Sequence, residues 1–268
     1  MDTHFVAIFV LTAFVYFVNT GAYAARLAGV RTGHPALASS LYNVMSIGAR
    51  GANAVAGPLV ASLTDLAVHG NDTPGLLSIY RTVLLAASAG TIVAGLAIPS
   101  LSRVLARGVA SYTLRRSLPG VVVRASSVSG VWRLRDELKR PYVSGVRRAF
   151  QNPFPKRFLL ASILTTAIAT VSNSAAMHAS ALVPEGARTA ASLSPLLAGF
   201  GLFMTIFIVN PIAALVTDEA LRGQRPLTDV SYITIWQVGA QLAGTLLAQA
   251  LLVPAGWGLA MIARWLVA

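Results

Sequence analysis

Ser39, Asn43, Ser46, Arg50, Asn53 and Gly57 follow one another at alternating steps of four and three. On a helix that spacing puts all six on one face. Arg50 falls near the middle of the apolar run 35–63, where a charged side chain costs about 2.5–3.5 kcal/mol on the milder insertion scale. Its guanidinium must therefore face protein, water or an anion. The protein partners would be Asp65, Asp218 or a helix carbonyl; the anion would be a substrate. Gly48, Ala52 and Ala56 recur every fourth residue beside the stripe, a spacing that predicts close helix packing.

Other polar groups sit in apolar runs. Thr170, Ser174 and His178 share one face of 158–183, with Asn173 adjacent. Gln237, Gln241, Thr245 and Gln249 do the same in 230–253. Such stripes predict interhelical hydrogen bonds more than ligand contacts, although His178 has the titration range of a proton carrier. Asp65 and Asp218 close the runs 35–63 and 190–216. They are helix-end partners for Arg81, Arg222 or Arg225, or ligands for a coupling ion. Pro58 and Pro211 predict a broken or kinked helix near the end of each run.

Several chemistries are excluded. With no cysteine, the chain has no disulfide, no thiolate metal ligand and no thiol nucleophile. It has no glycine-rich phosphate loop ending in Lys-Ser/Thr, no zinc-protease His/Glu spacing and no GxSxG elbow. No catalytic residue, metal site or cofactor is expected.

The elements that position these groups follow from composition. Of 268 residues 55% are apolar and 11% charged, and mean hydropathy is +0.67. The charged share is less than half of the ~25% of soluble domains, so the chain is read as an integral membrane protein. Runs of bilayer length, about 20 residues, fall at 5–25, 35–63, 76–101, 158–183, 190–216 and 230–253. A shorter apolar stretch, 256–267, is re-entrant, interfacial or a continuation of the last helix. Residues 5–24 lack the positive n-region of a signal peptide and are read as the first membrane helix.

The net charge of +12 is not spread evenly: 13 of the 21 basic residues and two of the nine acids lie between Arg103 and Arg157. Basic residues collect in cytoplasmic loops. Loops one, three and five are therefore inside and both termini outside. In the basic loop Val131, Leu134 and Leu138, with Trp132 alongside, and Val143, Val146 and Phe150 are spaced as short amphipathic helices. These would lie on anionic inner-leaflet lipid; nothing beyond charge supports nucleic-acid binding.

The chain also matches itself at an offset of about 154 residues. Asn19-Thr20 falls on Asn173-Ser174, Pro58 to Asp65 falls on Pro211 to Asp218, and Ala89-Gly90-Thr91 falls on Ala243-Gly244-Thr245. With three spans per half, the second copy enters the membrane upside down, the inverted-repeat plan of many transporters. The fold expected is all-α and polytopic, with six transmembrane helices. Residues 1–102 form the first three-helix repeat, 103–157 the basic loop and 158–268 the second repeat.

The stretch from Asn19 to Asp65 carries a family resemblance. Tyr23-x-x-Arg26-Leu27-Ala28-Gly29-Val30-Arg31-Thr32, then Leu41-Tyr42-Asn43, then Ser46 and Arg50-x-x-Asn53, resemble the Amj family of lipid II flippases. The resemblance implies export of a polyprenyl-diphosphate-linked peptidoglycan precursor, lipid II, across a bacterial plasma membrane, with no enzymatic step. It places Arg26 and Arg31 at the cytoplasmic mouth, since a guanidinium fork matches phosphate oxygens; both also fit as anchors under the positive-inside rule. Arg50 would receive the anion at mid-depth, with Asn43, Ser46 and Asn53 beside it. Asn19, Asp65, Asn173, His178 and Asp218 remain as coupling or gating groups. Other readings stay open: a carrier of another anionic polyprenyl- or phospholipid, a membrane enzyme acting on a lipid phosphate, or a scaffold whose basic loop docks a partner.

Overall fold

The structure is a computed structural model that describes residues 3–69, 73–115, 143–151 and 155–268, and within them every element is helical. α1 (Thr3–Gly21) and α2 (Ala24–Thr32) form one run interrupted at Ala22-Tyr23, where the Tyr23 N–H reaches only to the Thr20 carbonyl (3.1 Å). Gly33 ends α2 at φ 70°, a left-handed conformation that glycine adopts without a Cβ penalty. α3 (Pro35–His69) turns back with proline at its first position, where a missing N–H loses no helical bond. α4 (Thr73–Arg115) returns, α5 (Val143–Gln151) belongs to the basic segment, and α6 (Lys156–Leu182) opens the second half.

The next apolar stretch is built from pieces: a 3-10 turn at Pro184–Gly186, α7 (Ala187–Ser192), α8 (Ser194–Met204), a π turn at Thr205–Val209 and α9 (Asn210–Leu221). Prolines mark the joints. Pro184 opens the 3-10 turn, and Pro195 and Pro211 stand second in α8 and α9. At the π turn the Asn210 N–H reaches back five residues to the Thr205 carbonyl, and Pro211 has no N–H with which to resume the regular ladder at once. α10 (Thr228–Val267) completes the chain, with Asp229 in its first turn and Arg264 in its last, each complementing the helix dipole. Pro58, Pro99 and Pro254 lie inside continuous helices. The break expected at Pro58 is thus absent, while the one at Pro211 is present, and 256–267 continues the last helix.

Among the described residues, five stretches are long and apolar enough to cross a membrane: Phe5–Thr32, Gly75–Ala110, Lys156–Leu182, Pro184–Leu221 and Thr228–Val267. α3 is comparable to them in length, at 35 residues, and carries the polar stripe. The protein is a polytopic α-helical membrane protein.

The most extensive pairings are α1 with α4 and α6 with α10. Both crossings are close because a glycine stands in each. A Cβ on Gly90 would lie 2.0 Å from the Ala13 carbonyl oxygen, and one on Gly244 would lie 2.8 Å from the Ile163 carbonyl oxygen. One core gathers Ile8 of α1, Val60 of α3, Leu76, Tyr80 and Leu84 of α4, Val171 and Ala175 of α6, and Leu252 and Leu259 of α10. Phe158, Val209, Val216 and Ile233 form a smaller cluster among α6, the π turn, α9 and α10.

α3 packs with one face only. Ala38, Ser46, Ala49, Ala56, Val60 and Thr64 are buried, whereas Asn43, Ile47, Gly51, Ala54, Pro58 and Asp65 are exposed. The packing expected along Gly48, Ala52 and Ala56 is realised at Ala56 but not at Gly48, which is exposed with open space where a Cβ would stand. α5 packs on α10 with Gly145 and Ala149 buried and Val146, Arg147 and Arg148 exposed. The expected helix around Val131, Trp132, Leu134 and Leu138 lies outside the described residues.

Candidate functional site

A cleft of about 290 Å³ opens where α2, the start of α3 and α9 come together. Its walls include Arg26, Ser39, Tyr42, Asn43, Asn210 and Asp218. Arg26 is the organising group. Its Nη1 donates to Gln237 Oε1 of α10, its Nη2 donates to Asn210 Oδ1 at 3.3 Å, and its guanidinium carbon lies 5.3 Å from the centroid of the Tyr42 ring. Beside it Tyr23 donates to Gln241 Oε1 at 2.6 Å and lies nearly parallel to Tyr42, with ring centroids 6.3 Å apart. Tyr23 and Arg26 reach the same side of α2 because they are three residues apart.

All the hydrogen-bond partners of Arg26 among the described residues are neutral. The acid on the cleft wall, Asp218, pairs instead with Arg222 of its own helix at 2.9 Å. Arg26 is thus a fixed positive charge held by amide oxygens and an aromatic face, within one of the membrane-length stretches. Such a charge in an apolar slab calls for an anion, and a guanidinium matches phosphate or carboxylate oxygens.

The other sequence-derived positions are distributed unevenly. Asn43 lines the cleft with Arg26. Arg31 is exposed, donates to Ser102 Oγ of α4 at 2.8 Å and does not line the cleft. Ser46 is buried, its hydroxyl without a partner among the described residues, and Asn53 is exposed. The six-residue stripe therefore runs along the border between the packed and open faces of α3. Arg50 belongs to the α3 backbone, and its side chain lies outside the described residues. Asn19 and Asn173 are half-buried in α1 and α6.

At the opposite end of the bundle His178 is 8% exposed, with Nδ1 buried and without a partner among the described residues. Its ring meets the Tyr80 ring nearly edge-on, at 72° and 6.4 Å between centroids. Tyr80 shares a 2.8 Å hydrogen bond with Thr64. Gly256 makes room for the imidazole, since a Cβ there would lie 2.5 Å from His178 Cδ2. Asp65 follows Thr64 at this end.

The polar stripe of α10 is used throughout for interhelical bonds. Gln237 and Gln241 accept from α2, Thr245 accepts from Ser88 at 2.9 Å, and Gln249 donates to the Arg81 carbonyl at 2.8 Å. Tyr23, Tyr42, Asn210, Gln237 and Gln241 join one site only in the tertiary structure. Gln237 and Gln241 carry a signal in the sequence, a polar residue repeated at helical spacing in an apolar run, and Tyr23 stands three residues before Arg26. Asn210 has one too, an amide directly before a proline.

Comparison with known proteins gives a consistent result. Residues 11–263 match the family described as Amj, Alternate to MurJ. The chain is 28% identical to the lipid II flippase Amj of Bacillus subtilis, over 99% of this chain and 98% of that protein. No solved structure matches the chain.

Proposed function

The chain belongs to the Amj family, and from that premise we propose that it flips lipid II from the cytoplasmic to the outer leaflet of a bacterial plasma membrane. It is a transporter and not an enzyme. The observation that carries the reading is the Arg26 guanidinium, which faces a cleft between the halves of the chain and whose hydrogen-bond partners among the described residues are neutral. A dianionic diphosphate supplies the missing charge, and the polyprenyl tail stays in lipid.

Orientation follows from charge. Arg31, Arg103, Arg107, Lys156, Arg157, Arg222 and Arg225 lie toward the cleft end, and the positive-inside rule supports the reading that this end and the basic loop face the cytoplasm, with both termini outside. Exposed Arg147 and Arg148 on α5 suit anionic inner-leaflet lipid.

α3 acts as the sixth span, its polar border lining the substrate path. Asn43, Ser46, Arg50 and Asn53 form the route beyond Arg26, and Arg31 gathers substrate at the mouth. Asn19, Asp65, Asn173, His178 and Asp218 serve gating or coupling, with His178 in the closure opposite the cleft. The halves 1–102 and 158–268 are inverted repeats flanking the basic loop 103–157. The matched glycines Gly90 and Gly244 support this, because each seats the third helix of its half against the first.

Two experiments test the function. In proteoliposomes, wild-type protein is expected to move lipid II and Arg26→Ala to slow it by about 100-fold or more, as for a lost buried charge contact. In cells depleted of other lipid II flippases, the gene is expected to restore wall synthesis and its Arg26→Ala form is not. Equal flipping by both forms at equal expression overturns the assignment of Arg26.

A further inference from the structure

Arginine donates hydrogen bonds and accepts none, so the amides that hold Arg26 must turn their oxygens toward it. Their nitrogens are then left as donors. The Gln237 Nε2 is buried without an acceptor among the described residues, in a side chain 2% exposed. A buried donor left unpaired is destabilising, and the same position could have held a carboxylate, which would pair with Arg26 and satisfy it.

We infer that Gln237 and Asn210 are positioning residues that keep Arg26 competent for a phosphate-ester anion, because they fix its guanidinium by hydrogen bonds without neutralising it. The inference rests on the cleft reading above and deepens it. A glutamate or aspartate at either place would fix the guanidinium equally well and cancel the charge that the anion requires. Two neutral amides from α9 and α10 on one arginine from α2 hold it in place and keep it positive. The Asp218–Arg222 pair acts in the same sense, since the carboxylate on the cleft wall is engaged elsewhere. Asn210 stands at the exit of the π turn, so an irregular backbone sets the height at which its amide meets Arg26.

The ligand chemistry is a diphosphate ester, which a lipid head group or a free phosphate compound could supply. The test uses the full chain in detergent and three probes: farnesyl diphosphate, inorganic pyrophosphate and farnesol. Wild type is expected to bind farnesyl diphosphate most tightly, pyrophosphate more weakly and farnesol least. Tighter pyrophosphate than farnesyl diphosphate overturns the lipid source.

Gln237→Glu and Asn210→Asp keep shape and add a carboxylate. Each is expected to weaken farnesyl diphosphate binding by about tenfold or more while raising the melting temperature without ligand, through the new ion pair. A variant that merely loosens the site would lower both. If either variant fails to fold, the other carries the test. Diphosphate binding equal to wild type in the folded variants, with Arg26→Ala still defective, overturns this inference and leaves the cleft reading standing. Indifference of binding to Arg26→Ala overturns the cleft reading itself.

Discussion

At the end of the bundle that holds Tyr80 and His178, segments from both halves share one apolar core; at the end that holds Arg26, the halves face each other across a cleft. The first contact is made by close-packed aliphatic and aromatic groups, the second by hydrogen bonds from Tyr23 and Arg26 to α9 and α10. Apolar packing is dense and not easily remade. A few polar bonds are exchanged readily for bonds to a ligand, each contributing only about 1 kcal/mol net. The difference teaches where the halves are held least: on the proposed reading the cleft end takes up substrate, and the densely packed opposite end is the harder one to open.

The largest expected effect tests the packed framework common to both ends. Gly90→Ala forces a methyl against the Ala13 backbone, where nothing flexible can give, and is expected to destabilise by about 3 kcal/mol. Thermal melting in detergent measures it, and Gly244→Ala in the matched position should behave alike. An unchanged melt for both would mean that neither pair of helices is as close as described. Next is Gly256→Ala, which presses on the His178 ring. It is expected to destabilise by about 1–3 kcal/mol, read in the same assay, without weakening diphosphate binding at the far cleft.

A matched pair of smaller changes sharpens the contrast. Tyr80→Phe and Tyr23→Phe each delete one phenolic hydroxyl, worth about 1 kcal/mol. The first should lower only the melting temperature. The second should also lower affinity for farnesyl diphosphate, since Tyr23 braces α2 next to Arg26. Equal effects of the two on binding would erase the distinction between the ends. The smallest effect is expected at Gly48→Ala, on the open side of α3, within about 0.5 kcal/mol or slightly stabilising because alanine is the better helix former. A loss as large as that of Gly90→Ala would show that this face is packed.

Charge and apolar runs determine much by themselves. The membrane class, the helical elements, the basic segment and the importance of polar groups in apolar runs all follow from local composition, because water-to-lipid transfer acts residue by residue. The stripe Gln237, Gln241, Thr245 and Gln249 is readable as a set of interhelical bonds for the same reason. What composition cannot fix is which polar residues meet. Arg26 of α2, Asn210 of α9 and Gln237 of α10 come together only because the helices fold back on one another, bringing residues about 200 positions apart into hydrogen-bond reach. The fates of Pro58 and Pro211 diverge likewise: both prolines stand late in an apolar run, yet one helix runs on and the other passes through a π turn. Local sequence leaves that outcome open, since in an apolar medium the carbonyls freed by proline must find partners in the surrounding protein.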